Sequence, residues 1–211
     1  MSVLTGGGCG WIQLATGRKF RVPAFDPDEI TIEDVAHSLS MQCRYAGHCL
    51  QFYSVAEHSV HIYRNAPRHS RKPALMHDAP ESIVTDVVRS VKDLLTGYRE
   101  IEHQVALMMA KKWCIEYPWP DEVKVLDNRI LLDERAQNMP RFIRADELVY
   151  NEITGDHELK SGIVVGPAGY EWCAEEEDGW PFALPPLNIK LEFWTPAEAK
   201  EKFLEAFHEC G

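Results

Sequence analysis

PALMHDAPESIVTDVVRSVK, residues 73–92, decides how the rest of the chain is read. Pro73 suits the first position of a helix, where a missing N–H costs nothing, and Ala74-Leu-Met-His-Asp continues from it. Pro80 then kinks or restarts that helix just after His77-Asp78, because its ring clashes with the preceding turn. Glu81, four residues after His77, is expected on the same side of the segment. By itself a His-Asp pair carries little weight in a chain with nine histidines. What stands upstream and downstream changes that.

Upstream, Ser54-Val-Ala-Glu57 reads as a capping box. It opens a helix that carries His58 and Ile62 on one face and closes at Pro67. Downstream, Tyr98, Ile101, Val105, Met108 and Lys112 define a helical stripe. Another helix follows Pro120, with Val123, Leu126, Ile130 and Leu131 as its apolar positions and Asp127 among them. A carboxylate on an apolar face costs several kcal/mol unless it is paired or bound to a metal. A single histidine on an amphipathic helix is ordinarily a satisfied core residue. His58, His77, Asp78 and Asp127 together, all on expected helices, form an N/O donor set for a hard or borderline divalent cation. A structural zinc site would ordinarily draw on cysteine instead. His37, His61 and His103 complete no metal-ligand spacing and read as structural or surface residues.

Residues 11–22, WIQLATGRKFRV, place a Thr16-Gly17 turn between two short alternations and predict a β-hairpin. Thr31-Ile-Glu-Asp34 opens a helix expected to run to about residue 44, with Val35, Leu39 and Cys43 at i+4 spacing. From 138 to 186 the signals thin into Pro, Gly, Trp and acidic residues, and Glu175 to Asp178 reads as part of a solvated loop. Leu187, Ile189, Leu191 and Phe193 alternate with polar residues and predict a half-buried strand, expected to form a minor sheet with the hairpin. Thr195-Pro-Ala-Glu198 caps a last amphipathic helix bearing Phe203 and Phe207. The expected architecture is mainly α with a minor β element, in one domain. Its core spans about 25–137, preceded by the hairpin and followed by an elaboration over 138–211.

The 211 residues are enough for one well-buried domain. A formal charge of −11 disfavours contact with a nucleic-acid backbone, which needs clustered Lys and Arg, but leaves a small anionic substrate open. Cys9, Cys43, Cys49, Cys114, Cys173 and Cys210 show no C-x-x-C pair and are expected to be reduced. No signal-peptide pattern and no run of eighteen apolar residues is seen, so no membrane partner is expected and a soluble, cytoplasmic protein is.

Several side chains near the four donors suit phosphoryl chemistry. Glu81, not needed as a ligand, can take a proton from an attacking water or deliver one to a leaving oxygen. Asp86 can share that role or orient the water. Arg44 and Lys92 are cations for phosphate oxygens, His48 a donor to phosphate, and Tyr45 a ring to stack on a base or sugar.

ITIEDVAHSLSMQCRYAGHCLQFYSVAEHSV (30–60), LMHDAPESIVTDVVRSVK (75–92) and VLDNRILLDE (125–134) resemble the HD-domain phosphohydrolases, in their small nucleotidase branch, over about residues 17–135. WTPAEAKEKFLEAF (194–207) is similar to the closing helix of phage and bacterial members. The resemblance implies an all-helical HD core binding one divalent cation (Mn, Co, Zn or Mg) through His58, His77, Asp78 and Asp127. It places the catalytic acids at Glu81 and Asp86. In the bacterial 5′-deoxynucleotidases an Arg-Trp pair precedes the first His and contacts the nucleotide. Arg44-Tyr45 stands in that place here, so the Arg role carries over more directly than the stacking role. RYAGH and YSVAEHS are similar to small phage dATP triphosphohydrolases, which release triphosphate. The implied activity is therefore deoxynucleoside triphosphate hydrolysis, with 5′-deoxynucleotidase activity as the alternative and nucleotide sensing without turnover as a second. A homo-oligomer, dimer or hexamer, is also implied, while the base preference is left open.

Overall fold

The structure is a computed structural model that describes residues 10–22, 24–143, 145–160 and 184–210. Its frame is helical: α1 (Ile32–Met41), α2 (Val55–Asn65), α3 (Arg71–Met76), α4 (Glu81–Val84), α5 (Arg89–Lys92), α6 (Tyr98–Lys112), α7 (Asp121–Asn138) and α8 (Pro196–Glu209). Among the described residues two small antiparallel hairpins accompany it, β1 (Trp11–Gln13) with β2 (Lys19–Arg21) and β3 (Leu148–Asn151) with β4 (Asp156–Leu159). No described helix is long and apolar enough to cross a membrane.

The first hairpin forms where expected, with Ile12 opposite Phe20 and Gly17 at φ +81° in the turn, a conformation that favours glycine. Phe20 inserts into the core. Asp34 joins the hairpin to α1. Its carboxylate accepts from the Thr16 backbone N–H (2.8 Å) and hydroxyl (3.1 Å), and returns to the Thr31 N–H (3.0 Å) in a complete capping box. The helix ends at Met41 rather than near 44, because Gln42 turns extended (φ −90°, ψ 121°) and Cys43 pairs as an isolated β-bridge with Ser54. The segment between them thus forms a loop closed at its neck by Arg44 N–H to Tyr53 O (2.9 Å) and Val55 N–H to Gln42 O (3.1 Å).

At α2 the Ser54 hydroxyl accepts from the Glu57 N–H (3.0 Å), but Glu57 does not turn back to complete the box. It is fully buried and its carboxylate accepts the backbone N–H groups of Glu192 (2.9 Å), Phe193 (2.8 Å) and Trp194 (2.7 Å). Helix α3 starts two residues before Pro73, which still falls in the first turn, where an N–H has no intrahelical partner. The helix breaks at His77 and restarts as α4 after Pro80, as the proline demands.

The expected late strand is not one. Leu187, Ile189, Leu191 and Phe193 do turn inward relative to their polar neighbours, but the segment has no strand partner among the described residues. Side chains of α7 take the place of a neighbouring strand. Asp133 accepts from Leu187 N–H (2.7 Å) and Ile189 N–H (3.2 Å), and Gln137 both accepts from Leu191 N–H (3.1 Å) and donates to Ile189 O (2.9 Å). Among the described residues the minor β element is instead the pair of separate hairpins, and the second, at 148–159, lies where the sequence signals thin out. The acidic run 175–178 falls outside the described residues.

Two apolar clusters hold the frame. The larger gathers Val35 and Leu39 of α1, Val55 and Val60 of α2, Leu75 and Met76 of α3, Val105 and Met109 of α6, and Phe203 of α8. The smaller joins Ile62 and Ala74 to Val123, Leu126 and Ile130 of α7. Both pass through α2 and α3, which fixes the ends of those elements relative to α7.

Replacing Glu57 by Ala strips three backbone donors of their acceptor and should lower stability by about 3–5 kcal/mol, read as a fall of the denaturant midpoint with little change in slope. Asp34→Asn should cost about 1–2 kcal/mol at neutral pH. Burial raises the Asp34 pKa, but the Thr16 and Thr31 donors outweigh it and leave it lowered. The Asp34 contribution is therefore full above the unfolded value of about 3.9 and lost as pH falls through the folded one. The gap between wild type and variant should close below about pH 4, and a gap that persists there would show that the carboxylate charge is not what matters.

Candidate metal centre

His58 projects from the first turn of α2, His77 from the end of α3, Asp78 from the turn that follows, and Asp127 from the second turn of α7. Three chain segments separated in sequence therefore converge. His58 Nε2 lies 3.2 Å from Asp127 Oδ1 and 3.4 Å from Asp78 Oδ2, and His77 Nε2 lies 3.2 Å from Asp78 Oδ2 and 3.9 Å from Asp127 Oδ1. One ligand atom each from His58, His77 and Asp127 falls within 4.8 Å of the others, a group that can hold a metal ion.

The far nitrogens of the two rings settle which atom faces the cluster. His77 Nδ1 meets the Ala74 carbonyl at 2.8 Å, and His58 Nδ1 meets Glu134 Oε1 at 2.6 Å. A carbonyl and a carboxylate only accept, so both Nδ1 atoms carry the proton. Both Nε2 atoms are buried without a hydrogen-bond partner. In neutral rings they would present lone pairs to carboxylate oxygens that also carry only lone pairs. Such a cluster is stable only around positive charge, a proton or a metal cation, and the residues fit a divalent cation on that ground.

The protonation equilibria agree. Burial and the Arg44 charge push the His58 imidazole down, yet Glu134 and Asp127 prevail and raise it to about 9. His77 is likewise raised, burial notwithstanding, by Asp78 and Asp127. Asp78 and Asp127 are held below the usual carboxylate range, against burial, by the two imidazoles, with Arg44 adding to the effect at Asp78.

Glu134 was not among the residues singled out from sequence. It is fully buried on α7, and its second oxygen accepts from the Tyr45 hydroxyl at 2.6 Å and lies 3.3 Å from Arg44 Nη2. Glu134 follows Asp127 by seven residues, two helical turns, and so shares its face. That spacing was a usable signal.

Arg44 and Tyr45 sit in the loop between α1 and α2, not at a helix end. Tyr45, Ala46 and Gly47 have successive φ of +57°, +51° and +79°, a costly backbone for the two non-glycine residues. Its anchors are Glu134 on one side and Asn138 on the other, the latter accepting from Gln51 N–H (2.8 Å) and donating to Gln51 O (3.0 Å). Arg44 Nη1 lies 3.6 Å from Asp78 Oδ2, and Arg44 Nε is buried with no partner. Tyr45 commits its hydroxyl inward. His48 is exposed at the end of the turn, away from any described contact with the donors.

Glu81 is buried, with Oε2 unpartnered and Oε1 3.3 Å from Lys92 Nζ. Burial, then the charges of Asp78 and Asp86, raise its pKa well above the ordinary value despite Lys92 and Arg44. Asp86 is raised too, chiefly by burial and partly by Asp78. Lys92 is shared with Glu102 at 2.7 Å, so it is spent on two carboxylates. A cavity of about 780 Å³ runs from Glu81 and Gln42 past Ser38 to the first hairpin. Cys43 and Cys49 flank the Arg44 loop as free thiols with sulfurs 3.3 Å apart. Burial and the Cys43 neighbour push Cys49 up to about 11, so it stays protonated at neutral pH.

Fold and site together define a mainly helical protein with a His/Asp group that can hold a cation. The chain belongs to the family of the uncharacterized protein YfdR of Escherichia coli (strain K12), with which it is 35% identical over 125 residues, 59% of this chain and 70% of that protein. An uncharacterized protein of Rhodobacter capsulatus is 30% identical over 124 residues, covering 54% of this chain and 63%, just under two thirds, of its own length. No family model matches the chain.

Titration calorimetry with Mn²⁺, Co²⁺ or Zn²⁺ should find one strong site. Asp127→Ala should weaken it beyond the roughly 10–100-fold that loss of a supporting partner produces. Cation at a hundred times its Kd should add about 2.7 kcal/mol of stability, and a melting temperature indifferent to every divalent cation would dispose of the site.

Proposed function

We propose that the protein is a metal-dependent phosphohydrolase of deoxynucleotides, in the first instance a deoxynucleoside triphosphate (dATP) triphosphohydrolase giving deoxynucleoside and triphosphate. The observation that carries this reading is that four of the buried polar atoms left without partners belong to residues of the candidate site. They are Nε2 of His58 and His77, Nε of Arg44 and Oε2 of Glu81. Native interiors rarely leave such atoms unsatisfied, and a cluster of them marks where a ligand belongs.

A divalent cation held by His58, His77, Asp78 and Asp127 would supply Lewis-acid chemistry, drawing charge from a phosphoryl oxygen and lowering the pKa of water. Arg44 offers its unspent Nε–H, and the loosely engaged Nη1, to a phosphate oxygen. Asp86, less buried than Glu81, orients the attacking water and accepts its proton. Glu81, whose raised pKa favours the carboxylic acid, gives its proton to the 5′ oxygen as the P–O bond breaks, and Lys92 positions its carboxyl group. The ring of Tyr45, its hydroxyl tied to Glu134, borders the substrate rather than moving with it.

A second reading, 5′-deoxynucleotidase activity on monophosphates, has an observation of its own. Lys92 already gives two of its three N–H donors to Glu81 and Glu102, so most of its charge is offset before a triphosphate tail would meet it. One phosphate needs fewer cations than three.

Incubation with Mn²⁺, Co²⁺ or Mg²⁺ and each dNTP and dNMP, followed by identification of the phosphate product, separates the readings. Triphosphate from dATP supports the first, and orthophosphate from monophosphates the second. No product from any nucleotide would sink both. Glu81→Gln should lower kcat by about 10²–10⁴-fold with cation affinity retained.

A further inference from the structure

We infer that Glu134 is a positioning residue that joins the cation site to the substrate loop, so that one buried carboxylate sets the affinity of both. The inference rests on the metal-centre reading above. It goes beyond it in giving a role to a residue that touches neither cation nor substrate.

The two oxygens of Glu134 face different machinery. Oε1 takes the Nδ1 proton of His58 at 2.6 Å, which leaves Nε2 as the atom aimed at Asp127 and Asp78. If that acceptor were lost, either nitrogen of a neutral ring could carry the proton, and part of the population would present an N–H where a lone pair is needed. Oε2 takes the Tyr45 hydroxyl at 2.6 Å and lies 3.3 Å from Arg44 Nη2. These are side-chain anchors of a loop whose backbone is held at positive φ over Tyr45 and Ala46. The carboxylate thus meets a ring N–H, a phenol O–H and a guanidinium, all donors.

Neutralising Glu134 as the amide tests each arm. Gln keeps the shape, yet through one of its two ends it offers an NH₂ donor in place of an acceptor. Glu134→Gln should weaken Mn²⁺ or Zn²⁺ binding, measured by calorimetry without substrate, by about 10–100-fold. At saturating cation it should also raise the inhibition constant of inorganic triphosphate or orthophosphate. Tyr45→Phe removes one loop anchor and spares His58, so it should shift the phosphate constant and leave cation affinity within about twofold of wild type, the size of an ordinary surface change. The imidazole ¹⁵N spectrum of the cation-loaded wild type should show His58 protonated at Nδ1 and ligating through Nε2, with Glu134→Gln losing that preference.

Unchanged cation affinity in a folded Glu134→Gln protein would overturn the inference. So would a wild-type spectrum with His58 protonated at Nε2, which needs no variant and covers the case in which Glu134→Gln fails to fold. Cation binding, the spectrum and phosphate inhibition are read without turnover. If they behave as stated and no nucleotide is hydrolysed, the positioning role stands and the proposed activity falls.

Discussion

A carboxylate with no access to water sits between three segments of this chain, and the site is arranged around the need to satisfy it. Glu134 could be buried only because His58, Arg44 and Tyr45 each bring it a donor. Taking a carboxylate and a guanidinium out of water costs several kcal/mol per ion, which their attraction repays only when geometry is good and the remaining donors and acceptors are met. Here the balance still favours charge. Burial opposes ionisation of Glu134, yet Arg44 and His58 hold its pKa down to about 2. Removing Arg44 or His58 would leave the buried carboxylate short of positive charge. The arrangement therefore fixes relative positions more than it adds stability. Helix α2, helix α7 and the loop from 42 to 54 are locked to one another at the point where His58 must face Asp127.

Helix α7 extends the same logic along its length. Asp127 turns to the cluster, Glu134 to the loop and His58, Asn138 to Gln51, and Asp133 with Gln137 to the segment from 187 to 191. Glu57 of α2 does for 192–194 what Asp133 does for 187–189. Backbone groups that would be paired by a sheet in another fold are paired by side chains here, because the extended segment lies along helices. The chain approaches α8 through 187–194 under these polar contacts, and α8 places Phe203 in the core.

Helix existence was legible in this sequence because apolar periodicity and capping residues agree at Thr31, Ser54, Pro120 and Thr195. The convergence of His58, His77 and Asp127 was legible too, since Asp127 on an apolar face is anomalous without a partner. Failures have a common cause. The alternation of 187–193 does mark one face in and one face out, but alternation says nothing about who takes the hydrogen bonds, and the acceptors stand on α7 and α2. Ser54-x-x-Glu57 matched a capping box, but a buried Glu answers to tertiary donors before local ones. Glu134 escaped notice for the same reason: its partners, Arg44, Tyr45 and His58, lie more than seventy residues away in sequence. The hairpin at 148–159 has a Thr154-Gly155 turn, with Gly155 at φ +74°, but little burial to give its strands an apolar pattern.

Asp78 and Glu81 lie one helical turn apart and are pushed in opposite directions. Both are penalised by burial. At Asp78 two imidazoles and Arg44 overcome the penalty, and the group stays ionised. At Glu81 the charge of Asp78 itself joins the penalty, and Lys92 is too much occupied by Glu102 to reverse it. The ionised carboxylate is thus one reason its neighbour holds a proton. On the proposed reading this division assigns the roles: the residue among the imidazoles is the ligand, and the one beside them is the acid. A lysine in place of either His77 or Glu102 would disturb it from opposite sides, since what separates the two carboxyls is the distribution of positive charge between them and not a property of either alone.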